Sequence, residues 1–178
     1  TLSVEMAMKT GKNVDWKVYA KSGYNARDVY QDILPLITEK TADLIIIGLG
    51  GNDAFELNSP WKWRKNIHKI VLALQEKFSN TNVVFINMPP VRDFPAFTRL
   101  IQFSIGGLVE IFGNELSSTI EKYEHVFYNA EVISLDKWSE LNGNNKLSYF
   151  SDGVHPSAIT YQVWARQTVA YIRNNKIL

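Results

Sequence analysis

The feature that most limits how this chain can fold is an apolar run at Asp43–Leu49, which reads DLIIIGL. The run does not alternate between apolar and polar residues, so neither of its two faces is suited to water. Strands of this kind occur in parallel sheets whose two faces are covered by helices. The run therefore predicts a central strand of a parallel sheet, buried on both faces.

Short β-branched runs alternate along the chain with longer segments of helical periodicity, which predicts an α/β fold with a parallel sheet. The predicted strands are Val14–Ala20, Asp43–Leu49, Asn82–Met88 and Val126–Ile133. The predicted helices are Leu2–Lys9, Asn25–Glu39, Ser59–Phe78, Pro95–Glu124 with a break at Gly106-Gly107, and Pro156–Asn174. Ser59 as N-cap and Pro60 as first helical residue give a strong helix start. Without an internal repeat or linker, residues 1–178 are predicted to form a single domain.

The overall composition excludes several classes of function. The formal net charge of the 178 residues is +1, so electrostatics gives no case for nucleic acid or an anionic membrane as partner. The absence of cysteine excludes disulfides, thiolate metal sites and cysteine nucleophiles. No apolar run approaches the roughly 20 residues that span a bilayer. The absence of cysteine and of a long apolar run does not fix a cellular compartment, so cytoplasmic and exported locations both stay open.

Three loops hold the residues that can carry chemistry, because ligands of open parallel sheets bind at the carboxyl ends of the strands. They are the Gly23 loop (Lys21–Asn25), the glycine–asparagine loop (Gly48–Asp53) and the Asp–His loop (Ser151–Pro156). The first two follow predicted strands, and the third precedes the last predicted helix.

The Asp–His loop holds a carboxylate and an imidazole three residues apart, at Asp152 and His155, with Gly153 allowing a tight turn between them. This spacing can place the carboxylate against one imidazole nitrogen, which fixes the tautomer and leaves the other nitrogen free as a base. The alternative is a turn that caps the last helix and leaves the histidine merely exposed. Because short matches of this kind are common by chance, the pair alone does not decide between the two.

The glycine–asparagine loop offers groups that can stabilise an oxyanion. Gly50 and Gly51 allow the backbone to approach a ligand, and the amide of Asn52 can donate to a developing negative charge. Asp53 stands where a dinucleotide-binding G-x-G-x-x-G motif requires glycine, which excludes that motif. Gly23 can add a backbone N–H to the same oxyanion. The alternative for both loops is an ordinary turn with local caps.

Taken in order, the three loops resemble sequence blocks of the SGNH/GDSL hydrolase family. That family is marked by a G-D-S-L serine block, a glycine block, a G-x-N-D block and a D-x-x-H block. Ser22-Gly23 matches the glycine block, Gly50–Asp53 matches G-x-N-D, and Asp152–Pro156 matches the last block with its following proline. The resemblance covers essentially the whole chain. It implies a flavodoxin-like three-layer α/β/α fold with a parallel sheet.

The resemblance also implies a serine ester hydrolase, of the esterase, lipase or acylhydrolase kind, that works through an acyl-enzyme intermediate. In such an enzyme Asp152 and His155 are the catalytic residues, Gly23 and Asn52 contribute to the oxyanion hole, and no cofactor or metal is required. Candidate substrates are carboxylic esters of lipids, small acyl esters, thioesters and O-acetyl groups on sugars. The sequence does not choose among them.

The chain departs from the family pattern because no G-D-S sequence occurs in it. In the family fold the nucleophilic serine follows the first strand, which lies centrally in the sheet. We therefore expect that strand and the nucleophile loop upstream of Thr1, and we expect Val14–Ala20 and Leu44–Leu49 not to pair directly. Three serines lack the strand, turn and helix of a nucleophile: Ser3, Ser22 and Ser151. The alternative is a non-catalytic fragment or degenerate hydrolase domain with a binding role.

Other groups carry less weight in this interpretation. His68 and His125 are predicted to lie on the surface. A metal site formed by Asp53 with the Asp–His loop is chemically possible, but the hydrolase pattern explains these residues better. The aromatic-rich segment Pro89–Phe103 is either part of the core or a wall that binds the acyl group, and the sequence leaves both open.

Overall fold

The sheet of the protein contains three parallel strands in a computed structural model that describes residues 2–178. The strands, in sheet order, are β1 (Leu44–Ile47), β2 (Asn82–Phe85) and β3 (Val126–Tyr128). Val84 of β2 lies in register between Ile46 of β1 and Phe127 of β3. The predicted strands at Asn82–Met88 and Val126–Ile133 are therefore confirmed, although each is shorter than predicted.

Helices connect and cover these strands. They are α1 (Leu2–Thr10), α2 (Ala26–Asp28), α3 (Gly51–Phe55), α4 (Pro60–Phe78), α5 (Arg99–Ile120), α6 (Leu135–Asn142) and α7 (Ala158–Asn174). Helix α2 continues as a π-helical turn at Val29–Ile33 and a 3-10 turn at Leu34–Leu36, which contains Pro35. Further 3-10 turns lie at Val91–Asp93 and Lys146–Tyr149. No helix within residues 2–178 has both the length and the apolar character required to cross a membrane.

Strand β2 is the centre of three layers because its alternate side chains enter two separate apolar clusters. Val83 and Phe85 pack in the larger cluster with the buried faces of α4 and α5. Val84 points the opposite way, into a cluster formed with α1 and α7. The protein therefore has the α/β/α layering that the sequence predicted, with a parallel sheet between two layers of helices.

Local sequence signals set the start of helix α4. The Ser59 side chain accepts a hydrogen bond from the backbone N–H of Lys62, and Pro60 is the first helical residue. This satisfies one of the free N–H groups at the start of a helix. The predicted helix start is confirmed.

The predicted strand at Val14–Ala20 is wrong, because no strand is present there. A strand requires a neighbour for its backbone N–H and C=O groups, and this segment pairs with none of the strands in residues 2–178. It is held instead by side chains, since Lys17 Nζ and the Tyr19 hydroxyl both donate to the Glu39 carboxylate at 2.5 Å. These donors lower the pKa of Glu39 to about 2. Apolar and polar residues alternate in this segment as they do in strands, but its apolar residues are not all buried, since Trp16 is 67% exposed.

The predicted burial and central position of the DLIIIGL strand also need correction. Strand β1 is half-buried and lies at one edge of the three-stranded sheet, paired only with β2. An edge strand has a neighbouring strand on one side only, and its backbone groups on the other side are unpaired. A strand that is fully buried has neighbouring strands on both sides and helices on both faces. In the described sheet β1 does not pair with Val14–Ala20, as expected, but the reason is that no strand forms at Val14–Ala20.

The predicted helix break at Gly106-Gly107 is wrong as well, since α5 runs through both glycines without interruption. Gly106 is buried against Arg92, whose Cγ would lie 2.5 Å from a Cβ added at this position. The same addition at Gly107 would meet only Arg92 Nη2, at 3.8 Å. Gly106 thus permits close packing of α5 on the Val91–Asp93 turn and does not end the helix.

These two glycines provide a matched test of that packing. Gly107→Ala should raise the free energy of unfolding by up to about 1 kcal/mol, because alanine is the better helix former. Gly106→Ala gains the same propensity but forces Arg92 to move, so it should be less stable than Gly107→Ala by about 1–3 kcal/mol. Chemical denaturation of both variants measures the difference. Equal stability of the two variants would contradict the packing role of Gly106.

Candidate active site

The Asp–His loop is folded around the carboxylate of Asp152. One oxygen, Oδ1, accepts the backbone N–H groups of Val154 at 3.0 Å and His155 at 2.7 Å. The other, Oδ2, lies 2.6 Å from Nδ1 of His155. Gly153 has a φ of 89°, a left-handed conformation that favours glycine. The side chains of Asp152 and His155 are thus brought together as their spacing predicted, with Nε2 on the far side of the ring.

The charge of Asp152 is stabilised by the groups that it binds. The backbone N–H of His155 contributes most, followed by the His155 ring and the Val154 N–H, and together they lower the pKa of Asp152 to about 2. The carboxyl group, which is also exposed to solvent, therefore stays ionised at neutral pH. The loop does not cap helix α7, because Ser157 accepts the N–H of Thr160 and fills that role. A capping turn is therefore not what orients His155.

The glycine–asparagine loop leads from β1 into α3. Gly50 precedes this helix with a φ of 112°, and a Cβ at this position would lie 2.6 Å from Met88 Sδ. Backbone conformation and space therefore both require glycine here. Asn52, in the first turn of α3, is exposed and donates from Nδ2 to the backbone carbonyl of Tyr24 at 2.8 Å. This bond uses one of its two amide N–H groups and fixes the side chain beside the Gly23 loop.

A second contact ties the same two loops together. Asp53 Oδ2 accepts the backbone N–H of Ala26 at 2.9 Å, and the side chain is only 1% exposed. The other oxygen, Oδ1, is buried and has no hydrogen-bond partner within residues 2–178. Desolvation is the main cause that raises the pKa of Asp53 to about 6. No local sequence pattern indicates this role, because burial of a carboxylate depends on the packed structure.

An aromatic row connects the glycine–asparagine loop with the Asp–His loop. The ring centre of Phe55, at the end of α3, lies 5.6 Å from that of Phe97, and the ring centres of Phe97 and Phe94 are 5.4 Å apart. The ring of Phe94 also packs edge-on against that of Phe150, which precedes the Asp–His loop, with 5.3 Å between the ring centres. The backbone N–H of Ala96 donates to the carbonyl of Gly153 at 3.3 Å. No direct hydrogen bond joins Asn52 to His155 within residues 2–178, so the aromatic row is what relates the two loops.

The aromatic row also bears on the segment Pro89–Phe103, for which core and acyl-binding wall were both open. Phe94 is buried in the larger apolar cluster and Phe97 packs against that cluster half-buried, so these two belong to the core. Leu100 and Phe103, on the first turns of α5, are 76% and 71% exposed. The segment is thus core at Phe94 and an exposed apolar surface at its far end.

The serines and the other histidines occupy different settings. Ser151 Oγ donates to the backbone carbonyl of His155 at 3.2 Å, and no hydroxyl of residues 2–178 bonds Nε2 of His155. His68 contacts the hydroxyl of Tyr123 through Nδ1, and His125 contacts Asn82 at 3.0 Å. Neither of these histidines has a carboxylate partner in the part of the chain that the structure describes. Within the described part of the chain, no three carboxylate or histidine side chains are grouped as a metal site would need.

The hydrogen bond between Asp53 and the backbone N–H of Ala26, directly after the Gly23 loop, can be tested by substituting Asp53. Its folded-state pKa of about 6 lies above the usual 3.8, so the folded protein binds the proton more tightly and this carboxyl destabilises it as pH rises from about 4 to 6. Asp53→Asn removes this ionisation but keeps an acceptor for Ala26. The free energy of unfolding of Asp53→Asn, relative to the parent protein, should therefore increase across this pH range.

Asp53→Ala is the matched control, because it leaves the Ala26 N–H without its acceptor at every pH. We expect it to be less stable than Asp53→Asn by about 1–3 kcal/mol. Urea denaturation at several pH values measures both effects. A stability difference between Asp53→Asn and the parent protein that does not change with pH would show that Asp53 does not titrate as the structure indicates.

Comparison with known proteins identifies the family of this chain. The family model described as the GDSL-like Lipase/Acylhydrolase family matches residues 3–163, a span that contains all three loops. A comparison with curated proteins finds no match to the chain. Because the family match covers most of the 178 residues, the chain belongs to the GDSL-like lipase/acylhydrolase family.

Proposed function

We propose that this protein is a serine ester hydrolase that acts through an acyl-enzyme intermediate. Family membership supports acylhydrolase activity in general. The observation that carries the finer proposal is the 2.6 Å contact between Asp152 Oδ2 and His155 Nδ1 in a solvent-accessible loop. A carboxylate that binds Nδ1–H holds the imidazole in the tautomer whose Nε2 can accept a proton.

In the proposed mechanism His155 is the general base and then the general acid. Nε2 takes the proton of the serine hydroxyl while the serine oxygen bonds to the ester carbonyl carbon. The same proton passes to the alcohol oxygen when the bond between that oxygen and the carbonyl carbon breaks. Asp152 stabilises the imidazolium that forms between these steps, and its low pKa keeps it ionised for this purpose. Water then repeats the sequence and releases the acid.

The oxyanion of each tetrahedral intermediate is assigned to Gly23 and Asn52. Gly23 lies in a tight turn with a φ of 81°, and its backbone N–H has no acceptor within residues 2–178. Asn52 keeps one amide N–H free while the other is fixed on Tyr24. Donors held in place before the reaction need no reorganisation as charge develops, and one such donor is typically worth about 3 kcal/mol in the transition state.

We place the nucleophilic serine on a segment upstream of Thr1. The support is that no G-D-S sequence occurs in the chain and that Ser151 directs its hydroxyl to a backbone carbonyl. Strand β1 has an unpaired edge in the described sheet, where a further parallel strand could pair. A serine loop after such a strand would come to the same end of the sheet as the Gly23 and glycine–asparagine loops.

The proposed substrates are carboxylic esters of lipids, small acyl esters, thioesters and O-acetyl groups on sugars. The exposed apolar surface at Leu100 and Phe103 follows the aromatic row along the chain, so it is a candidate wall for an acyl chain. The proposed reaction needs neither a metal nor a cofactor.

A second candidate function is a non-catalytic binding domain. The observation that favours it is that no hydroxyl of residues 2–178 reaches Nε2 of His155. The two functions differ in one respect that can be measured, which is whether the gene product forms a covalent adduct with a serine-directed probe.

The test is fluorophosphonate labelling of the full-length gene product, followed by mass spectrometry of the labelled peptide. One serine should react, and it should lie upstream of Thr1. His155→Ala removes the base, so labelling and ester hydrolysis should each fall by orders of magnitude, as for triad members generally. His125→Asn is the control, because His125 contacts Asn82 and not a carboxylate, and it should keep full activity.

Two results would contradict the proposal. The absence of any labelled serine in the full-length product would favour the binding domain. Labelling that survives His155→Ala but is lost in Ser22→Ala or Ser151→Ala would assign the nucleophile to a serine other than the proposed one.

A further inference from the structure

A groove with a cavity of about 310 Å³ lies between helix α4 and the helical segment that begins at α2. We call it the basic groove. Its lining includes four cationic and two aromatic side chains: Arg27, Lys62, Lys65, Lys69, Tyr30 and Trp61. The volume is in the range of sites that hold small molecules.

The three lysines of the groove recur on one face of α4, at spacings of three and four residues. Like charges at these spacings repel each other and destabilise a helix. None of Lys62, Lys65 and Lys69 forms an ion pair within residues 2–178, whereas Arg64 of the same helix pairs with Glu115 at 3.4 Å. The repulsion on the groove face is therefore not relieved by the part of the protein that the structure describes.

The carboxylate in the groove lining, that of Glu56, is already bound by neutral groups. Its Oε2 accepts from Asn25 Nδ2 at 2.6 Å and from Asn58 Nδ2 at 3.1 Å. These two bonds hold the carboxylate at the groove wall without using a cation. The cationic side chains thus keep their donors for another acceptor.

Neighbouring side chains hold the cations in position. Lys65 Nζ lies 5.1 Å from the ring centre of Trp61, and Lys69 Nζ lies 5.2 Å from that of Tyr30. Arg27 donates through Nε to Gln31 at 3.0 Å, which leaves the terminal guanidinium nitrogens free. Side chains that are already ordered lose less entropy when they bind a ligand. Cations with free donors are suited to an acceptor that carries several charged oxygens.

We propose that the basic groove binds a phosphate group through Arg27, Lys62, Lys65 and Lys69. Phosphate carries more than one negative charge and can accept from several of these cations at once. The formal net charge of +1 does not contradict this, because the cations are concentrated locally. The proposal does not depend on ester hydrolysis, since it uses none of Asp152, His155, Gly23 or Asn52.

Isothermal titration calorimetry with inorganic pyrophosphate at low ionic strength tests the groove. The unmodified protein should show saturable binding at one site. The double variant Lys65→Gln, Lys69→Gln should bind roughly tenfold or more weakly, because it loses two charge-assisted contacts. The control Lys12→Gln, Lys40→Gln makes the same change in net charge at exposed positions outside the groove, and it should bind within about twofold of the unmodified protein.

Two outcomes would overturn the proposal: no saturable binding, or an equal loss of affinity in the groove variant and the control. A sedimentation assay with phosphatidylglycerol vesicles distinguishes the source of the phosphate. Co-sedimentation that is lost in the groove variant alone would assign a lipid headgroup. Pyrophosphate binding without co-sedimentation would assign a soluble phosphate.

Discussion

Burial of strand β2 on both faces is the constraint on which the rest of the structure depends. Because Val83 and Phe85 face α4 and α5 while Val84 faces α1 and α7, the two helical layers are fixed relative to one sheet. The loop after β1 then meets the segment after β2 at one end of that sheet, where Gly50 packs against Met88. This contact joins the glycine–asparagine loop to the apolar core, against which Met88 packs.

Asp152 and Asp53 show how the surroundings of a carboxyl group change its pKa in opposite directions. Asp152 is exposed but accepts several hydrogen bonds, which lower its pKa to about 2 and favour the charge that orients His155. Asp53 is buried with one donor, and desolvation raises its pKa to about 6. The first residue is suited to stabilising an imidazolium. The second holds the loop of Asn52 against Ala26, so its contribution to the proposed mechanism is one of position.

The fold could be predicted from the sequence where local signals decide the structure. Ser59 and Pro60 predicted a helix start because capping involves only neighbouring residues. The alternation in Val14–Ala20 predicted a strand wrongly, since a strand also needs a partner that local sequence cannot supply. The predicted helix break at Gly106 was wrong for a related reason. The residue that Gly106 packs against, Arg92, lies outside the helix, so the local sequence does not indicate this contact. Similarly, the spacing of the Asp–His loop indicated its contact, whereas the burial of Asp53 had no local signal.

The most direct test of the account is a structure of the full-length protein after reaction with a fluorophosphonate. We expect the phosphorus atom on a serine upstream of Thr1, with Nε2 of His155 within roughly 3.2 Å of that serine oxygen. The phosphoryl oxygen should lie roughly 2.7–3.1 Å from the backbone nitrogen of Gly23 and from Nδ2 of Asn52. A phosphoryl oxygen that contacts neither donor, or an adduct remote from His155, would contradict the claim that these loops form one acyl-transfer site.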